Sequence, residues 1–358
     1  MVPFAGYALP VQYKDSLINS HLHCRNSASL FDVSHMGQLR IWGEKRVEFL
    51  ESVIVGDVQS LAVNQMRLSV MTNDSAGIID DCMVCRKQDH IYMVINAGCK
   101  EKDIAHLNAK LAEFNKANKA DVRIEEFHRE WELIALQGPK AAGALAKLLP
   151  KDVDLSKLPF LYSLNLPVAG VNCIVSRCGY TGEDGFEISI PKAETSRIFH
   201  EILKDPDVLP AALGVRDSLR LEAGLCLYGH DLNESITPIE ANLNWLISKR
   251  RREQGGFPGA SIIQKQLKEG VARKRVGLAI LSGAPAREEA VVQDLEGNKV
   301  GVITSGTHSP VLKRAVSMGY VDSKHAALGT KLKVVVRGKL GDAEVTKMPF
   351  VPTKYYKP

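Results

Sequence analysis

The stretch SAGIIDDCMVCR at residues 75–86 sets two adjacent aspartates inside an apolar run. The turn-forming residues NDSAG at 73–77 overlap its start, so the run is predicted to be the returning strand of a hairpin. Neighbouring residues of a strand point to opposite faces, and one of Asp80 and Asp81 therefore faces the interior if either face is buried. Strict alternation predicts one set of Ile79, Asp81, Met83 and Cys85 and a second set of Ile78, Asp80, Cys82 and Val84.

The segments around this hairpin carry signals of mixed secondary structure. A strand is predicted at 91–96, and QLRIWG at 38–43 predicts another. From 275 to 340, glycine turns separate short β segments at a spacing typical of a small barrel or sandwich. The pattern predicts an α+β fold with a C-terminal β domain. The helix that follows the strand at 91–96 is predicted to be amphipathic, with one apolar face of Ile104, Leu107, Leu111 and Phe114.

The composition is that of an ordinary globular protein with two or three domains. The chain has 358 residues, 45% of them hydrophobic and 24% charged. No apolar run reaches the roughly 20 residues of a membrane span, and the start carries no signal-peptide pattern. Seven scattered cysteines predict free thiols in a reducing compartment. Cys82 and Cys85 form a C-x-x-C pair whose odd spacing directs the thiols to opposite faces, so inert packing is favoured over a metal or disulfide role.

The net charge of +5 is concentrated in one segment. Residues 246–275 hold nine Lys and Arg against two Glu, giving +7, so the rest of the chain sums to −2. Two readings stay open: a solvated linker face, or a dock for an acidic partner or an anionic ligand tail. Nucleic acid is disfavoured because no aromatic residues are interleaved there to stack on bases.

The stretch GYTGEDGFEISI at 179–190 predicts a strand after a glycine-rich loop. Phe186, Ile188 and Ile190 alternate toward a core, which leaves Glu187 on the other face. Such a carboxylate can accept two parallel N–H bonds from the edge of a heterocycle. The alternative is a half-exposed strand glutamate without a ligand.

The stretch GVRDSLRLEAGL at 214–225 predicts a helix in which Arg216 and Arg220 share one face. One arginine is then available to hold an anion while the other lies along the protein surface. The alternative is that both form surface ion pairs with Asp217 or Glu222. Fingerprints for dinucleotides, nucleoside triphosphates and the G-x-S-x-G nucleophile are absent.

Taken together, these stretches resemble the aminomethyltransferases of the glycine cleavage system, the T proteins, and in particular their mitochondrial, eukaryotic branch. The resemblance runs nearly end to end. It rests on FAGYALPVQY at 4–13, SLFDVSHMGQ at 29–38, GIIDDCMV at 77–84, NAGC at 96–99, IALQGP at 134–139, CGYTGEDGFEIS at 178–189, RDSLRLEAGLCLYGHD at 216–231 and KMPFVPTKYY at 347–356.

The resemblance implies three lobes around a central folate channel. A folate-binding domain of two α+β lobes is expected at 1–260, its second lobe at about 43–130, and a β-barrel at 261–358. The implied reaction transfers the methylene of an aminomethyl group from the lipoyl arm of H protein to tetrahydrofolate. Tetrahydrofolate is the expected co-substrate and lipoylated H protein the expected partner, without metal, nucleic acid or membrane. The implied location is the mitochondrial matrix, with a targeting segment absent from this chain, or the cytoplasm for a bacterial source.

The resemblance also implies residue roles. Asp81 matches the family carboxylate that faces the attacking folate nitrogen and is the expected catalytic residue. The expected ligand-binding residues are Glu187, Arg216, Tyr355, Asn96 and Tyr180. Docking of H protein or of a folate tail is expected at Lys249, Arg250, Arg251 and Arg252. The alternative function is a non-catalytic folate-binding protein of the same fold, although the K-G-C-Y-x-G-Q-E motif typical of that branch does not occur.

Overall fold

A computed structural model describes residues 1–358. Three sheets organise the chain, in addition to an N-terminal hairpin of two strands. The strands are β1 (Val2–Phe4), β2 (Tyr7–Leu9), β3 (Ala28–Asp32), β4 (Gly37–Trp42), β5 (Met66–Thr72), β6 (Ile78–Arg86), β7 (His90–Ile95), β8 (Arg123–Glu126), β9 (Trp131–Gln137), β10 (Ser163–Val168), β11 (Val171–Ser176), β12 (Gly185–Pro191), β13 (Val208–Pro210), β14 (Arg273–Ile280), β15 (Val291–Gln293), β16 (Lys299–Ser309), β17 (Arg314–Asp322), β18 (Lys331–Val336) and β19 (Lys339–Thr346). The helices are α1 (Leu17–Asn26), α2 (Arg46–Glu51), α3 (Lys100–Asn118), α4 (Ala141–Ala146), α5 (Lys192–Leu203), α6 (Leu213–Glu222), α7 (Lys249–Gln254) and α8 (Ala260–Glu269).

The first lobe is built on a six-stranded sheet of order β10-β11-β12-β9-β3-β13. Its strands are antiparallel except for β13, which pairs in parallel with β3. Phe186, Ile188 and Ile190 of β12 lie in one buried apolar cluster, as the alternation predicted. Helix α5 covers this cluster because Ile198 and Ile202, four residues apart, share one helical face. Glu187 therefore lies on the opposite face of the sheet.

The second lobe is a five-stranded sheet of order β5-β6-β7-β4-β8, covered by α3. The predicted apolar face of α3 is confirmed, since Leu107 is fully buried and Ile104, Leu111 and Phe114 pack around the same core. Strand β4 starts this lobe at Gly37, so its sheet begins before the expected boundary of about 43. The reason is local: the chain leaves β3 at Asp32 and crosses to the second sheet within a few residues.

The third lobe is a closed barrel of order β14-β17-β16-β15-β18-β19, which confirms the predicted α+β fold with a C-terminal barrel. Its first strand starts at Arg273, because residues 260–269 form α8 instead of barrel. After β19 the chain returns to the first lobe, where the backbone N–H of Lys354 donates to the carbonyl of Gly182 at 2.8 Å. The C-terminal tail thus belongs spatially to the first lobe. None of the helices is both long and apolar enough to span a bilayer.

Candidate active site

A β-bulge lies beside the two aspartates of β6. Met71 pairs with Asp80 and Thr72 pairs with Ile78, which leaves Ile79 without a partner in β5. Such an extra residue reverses the alternation on one side of it and redirects side chains. Ile79 consequently packs under α3 in the core of the second lobe, while Ile78 packs in a separate cluster. The faces predicted for these two isoleucines were wrong.

The alternation holds from Asp80 onward. Cys82 and Val84 pack in the core of the second lobe, on the face of Asp80. Cys85, on the face of Asp81, packs in a different cluster between the first two lobes. Asp80 is fully buried and Asp81 is half-buried. The seven cysteines are all free thiols, as predicted.

Asn96, directly after β7, holds both aspartates. Its side-chain amide donates to Oδ1 of Asp80 and to Oδ1 of Asp81, each at 2.9 Å. Its backbone N–H donates to Oδ2 of Asp80 at 3.1 Å. One residue therefore fixes the orientation of two adjacent carboxylates.

The proton affinity of Asp81 is strongly raised. Burial and the adjacent Asp80 raise the pKa of Asp81 to about 7, against the opposing effect of the Asn96 hydrogen bond. A carboxyl group with this pKa exchanges a proton near neutral pH, which is the range in which a general acid or base is most effective. Asp81 forms no salt bridge, so no cation of the protein opposes this shift directly.

Glu187 lies on the open face of β12 without a salt bridge. Burial raises the pKa of Glu187, and the positive charge of Arg216 together with the thiol of Cys178 partly offsets that effect. The carboxylate has no N–H donor within the protein, so its acceptor positions are open to a ligand.

The two arginines of α6 have different roles. Arg220 is buried and bonded to Asp217 at 2.8 Å and to Asp231 at 2.7 Å, so its role is structural: it links these two carboxylates. Arg216 forms no salt bridge, and one of its terminal nitrogens is buried without a hydrogen-bond partner. Its guanidinium lies 4.8 Å from the centre of the Tyr180 ring. Arg216 is therefore the arginine with free donors for an anion.

The two candidate tyrosines differ in the freedom of their hydroxyls. The hydroxyl of Tyr180 donates to the backbone carbonyl of Cys226, which leaves its ring as a support for Arg216. Tyr355, in the C-terminal tail, stacks on Phe160 with ring centres 4.1 Å apart and planes at 11°. Burial is the main reason that the pKa of Tyr355 rises to about 12, so its free hydroxyl stays a donor.

Most of the side-chain donors in the basic segment 249–252 already bond to other groups of the chain. Arg250 pairs with Glu51 at 2.5 Å and Asp57 at 2.6 Å. Arg251 is buried and donates to backbone carbonyls at the end of α2, and Arg252 donates to the carbonyl of Ile247 at 2.7 Å. These contacts argue against the expected docking role of the three arginines, because their donors are already occupied. Lys249 differs from them, since 90% of its side chain is exposed and its one ion pair is a surface contact with Glu253 at 3.9 Å.

Replacing Arg250 with Ala is expected to lower the free energy of unfolding by about 2 kcal/mol, because two nearly buried carboxylates lose their charged donor. Lys249→Ala, its neighbour in the same helix, is the matched control and should change stability by less than about 0.5 kcal/mol. Urea unfolding of both variants measures the difference. Equal stabilities would show that Arg250 does not fasten α7 to the second lobe.

His35 was not predicted as a site residue, although it lies in the stretch SLFDVSHMGQ at 29–38 that supports the family resemblance. It is 4% exposed, and its Nδ1 has no hydrogen-bond partner. Burial and the nearby charge of Arg216 lower the pKa of His35 to about 4, so the ring is neutral. Lys100 donates to the hydroxyl of Tyr7 at 2.9 Å and contacts the carbonyl of His35. The N-terminal hairpin thus covers the site next to Arg216.

The comparisons with known proteins agree with this architecture. The family model for the GCVT N-terminal domain matches residues 1–251, and the glycine cleavage T-protein C-terminal barrel domain matches 273–352. "Aminomethyltransferase, mitochondrial" of Dictyostelium discoideum is 52% identical over 365 residues, covering 100% of this chain and 90% of that protein. The human protein of the same name is 51% identical, and the aligned region covers 99% of this chain and 87% of the human protein. The crystal structure of glycine cleavage system aminomethyltransferase T from Bartonella henselae superposes with a TM-score of 0.91 at 38% identity, covering 99% of this chain and 95% of that one.

A body of two sheets followed by a closed six-stranded barrel, matched by both GCVT family models, defines a GCVT-type transferase. The chain belongs to the aminomethyltransferase family of the glycine cleavage system, the T proteins, and is an enzyme of that family. This confirms the family that the sequence resemblance indicated.

Proposed function

We propose that this chain moves the methylene of an aminomethyl group from the lipoyl arm of an H protein to tetrahydrofolate. Ammonia, 5,10-methylenetetrahydrofolate and the dihydrolipoyl arm are the products. The observation that carries the proposal is Asp81, a half-buried carboxylate held by Asn96 with a pKa raised to about 7.

Asp81 has the properties needed at the attacking nitrogen of tetrahydrofolate. That nitrogen is a weak nucleophile, and it gains positive charge as it bonds to the methylene carbon. A fixed carboxylate orients the nitrogen, stabilises the growing charge and can accept its proton. The protein also positions two bound partners against each other, which can contribute roughly 7–11 kcal/mol to lowering the barrier.

Glu187 and Arg216 are proposed to hold tetrahydrofolate. Glu187 accepts parallel N–H bonds from the pterin edge, since no N–H group of the protein donates to its carboxylate. Arg216 offers unpaired guanidinium donors to an acidic group of the ligand. The ring of Tyr180 packs against that guanidinium and supports it. Tyr355 adds a flat, stacked wall and a free hydroxyl. Asn96 acts through Asp81 and fixes its orientation.

The lipoylated H protein is the proposed partner, and Lys249, with 90% of its side chain exposed, is the docking residue proposed from residues 249–252. The mitochondrial matrix is the proposed location, on the strength of the relatives' names. The expected division at 1–260 and 261–358 is proposed with two refinements: the barrel strands start at Arg273, and the tail joins the first lobe.

The deciding experiment mixes the purified chain with aminomethyl-loaded H protein and tetrahydrofolate. Stoichiometric formation of 5,10-methylenetetrahydrofolate and ammonia is expected, dependent on all three components. Tight folate binding without either product would instead favour the non-catalytic alternative. Binding of tetrahydrofolate is tested separately by a substitution at Glu187.

Replacing Glu187 with Gln should raise the KM for tetrahydrofolate by about 10- to 100-fold with a much smaller effect on kcat, because charge-assisted bonds to the pterin edge are lost. Glu132→Gln is the matched control, since Glu132 is half-buried in β9 of the same sheet and pairs with Ile190 on the opposite face. Steady-state kinetics, with the concentrations of tetrahydrofolate and of H protein varied in turn, measures the effects on KM and kcat separately. A change in kcat alone would remove Glu187 from folate binding.

A further inference from the structure

Asp103 forms a second buried carboxyl group behind the candidate site. It lies in the first turn of α3 and is fully buried, as is Asp80 across from it on β6. Carboxyl oxygens of these two residues and the thiol of Cys99 all lie within 4.8 Å of one another. Neither aspartate forms a salt bridge with a cationic side chain.

Two carboxylates this close, in a dry environment and without a counter-ion, cannot both be ionised. The hydrogen bonds indicate which one carries the proton. Asp80 accepts two N–H bonds from Asn96, which favours its charged form. Neither oxygen of Asp103 accepts a bond from any N–H donor. The start of α3 favours negative charge on Asp103 only weakly, since its backbone N–H groups do not bond to that side chain.

We propose that Asp103 is a buried carboxylic acid that donates a hydrogen bond to Asp80, and is thereby a positioning residue for Asp81. The chain of contacts runs from Asp103 to Asp80, from Asp80 to Asn96, and from Asn96 to Asp81. The proposal rests on the proposed function in that Asp81 is the group being positioned. Removal of the proton at Asp103 would set two negative charges against each other and release Asn96 from its fixed orientation.

The groups around Asp103 agree with this assignment. Lys102 is directed away, since its ammonium donates to the carbonyl of Ile79, the hydroxyl of Tyr228 and the carboxylate of Glu234. Burial and the neighbouring Asp80 raise the pKa of Asp103 to about 10, with Asp81 adding to the effect and Lys102 opposing it. Burial also raises the pKa of the thiols of Cys82 and Cys99, so both stay protonated and neutral.

A metal ion explains the cluster less well than a proton. Structural zinc sites use four ligands, and hard divalent cations take six or more oxygens. The cluster supplies only three groups, one of them a thiol whose raised pKa disfavours the thiolate that a metal needs. A single shared proton satisfies both carboxyl groups without further ligands.

The test compares Asp103→Asn, which keeps a hydrogen-bond donor, with Asp103→Leu, which removes it. Infrared difference spectra at about pH 8 should show a buried carboxylic acid in the wild type that Asp103→Asn lacks. In Asp103→Leu, Asp80 loses that hydrogen bond and Asn96 is held less firmly, so the charged form of Asp81 loses part of its stabilisation. The pH at which the transfer rate rises should then move up by about one unit, while Asp103→Asn keeps the wild-type position.

Glu101→Leu is the control, because Glu101 is exposed in the same turn of α3 and should leave the pH profile unmoved. The absence of a carboxylic acid band that Asp103→Asn removes would overturn the proposal, as would a stoichiometric metal ion in the purified protein. An identical pH profile in all variants would also overturn it, provided that Asp81→Asn abolishes the rise in rate and so shows that the profile reports Asp81. The infrared band does not depend on turnover, so it still decides the matter if Asp103→Leu fails to fold or if Asp81 has no role in transfer.

Discussion

Replacing Asp81 with Asn is expected to slow methylene transfer by about 100- to 10,000-fold. Asparagine has nearly the same shape and still offers an oxygen to the amide of Asn96, so the fold and the affinity for tetrahydrofolate should change little. The loss is that of a negative charge and a proton acceptor at the attacking nitrogen. Single-turnover transfer from loaded H protein, with folate binding measured separately, distinguishes the two effects.

The pH dependence gives the same prediction a second readout. The pKa of Asp81 is about 7, and only the ionised form can accept a proton, so the wild-type rate should rise as the pH increases through that value and then level off. Asp81→Asn should lack this rise. Asp152→Asn, an exposed aspartate in a turn of the first lobe, is the control and should match the wild type. An unaffected rate in Asp81→Asn would remove Asp81 from the chemistry.

Local sequence patterns predicted the faces of several elements and failed where pairing decides the outcome. The alternation in β12 and the apolar face of α3 were predicted correctly, because each depends on one periodicity within one element. The faces of Ile78 and Ile79 were predicted wrongly because the bulge depends on the register of β6 against β5. A sequence does not specify which residue of a neighbouring strand stays unpaired.

The basic segment shows the same limit for charges. Its positive charge is evident from composition, but the partners of Arg250 are Glu51 and Asp57, which lie about 190 to 200 residues earlier in the chain. Composition cannot distinguish a charge that faces solvent from one that is neutralised by a distant segment. The prediction of four docking residues is therefore reduced to Lys249.

The candidate site was accessible from the sequence to different degrees. Residue patterns alone suggest Glu187, one of the two arginines of α6 and one of the two aspartates of β6, and only the family resemblance selects Asp81 from that pair. Tyr355 is not, since nothing in its own stretch shows that the tail folds back onto the first lobe to meet Phe160. Asp103 resembles an ordinary acidic residue at the start of a helix, and only its distance from Asp80 reveals a buried carboxyl pair.

The second large effect is expected for Glu222, which joins α1, α6 and the barrel. It is fully buried and bonded to His21 at 2.9 Å and to Arg25 at 2.8 Å, and it accepts a hydrogen bond from the hydroxyl of Ser309 in β16. Replacing Glu222 with Leu leaves the charge of Arg25 buried with only Glu183 as its carboxylate partner. The free energy of unfolding should fall by about 3–5 kcal/mol.

This contribution should depend on pH with a definite sign. Burial alone would raise the pKa of Glu222, but the bonds from His21 and Ser309 and the charge of Arg25 lower it from 4.5 to about 2. A carboxyl group with a depressed pKa in the folded state stabilises the fold above its unfolded pKa and loses that effect as the pH falls. The stability difference between wild type and Glu222→Leu should therefore be full near neutral pH and shrink below pH 4.5.

Glu201→Leu is the matched control, because Glu201 on α5 forms only a surface pair with Lys204 and should contribute little to stability. Urea unfolding followed by fluorescence and by circular dichroism at several pH values measures both variants. A loss in Glu222→Leu that equals the control, or one that does not change with pH, would contradict the network. Since Ser309 belongs to the barrel, the same variant should also unfold the barrel in a separate, earlier transition than the wild type does. The bond from Ser309 to Glu222 would then be one of the contacts that hold the barrel to the rest of the chain, together with those of Ser305 to Arg220 and of Thr304 to Asp231.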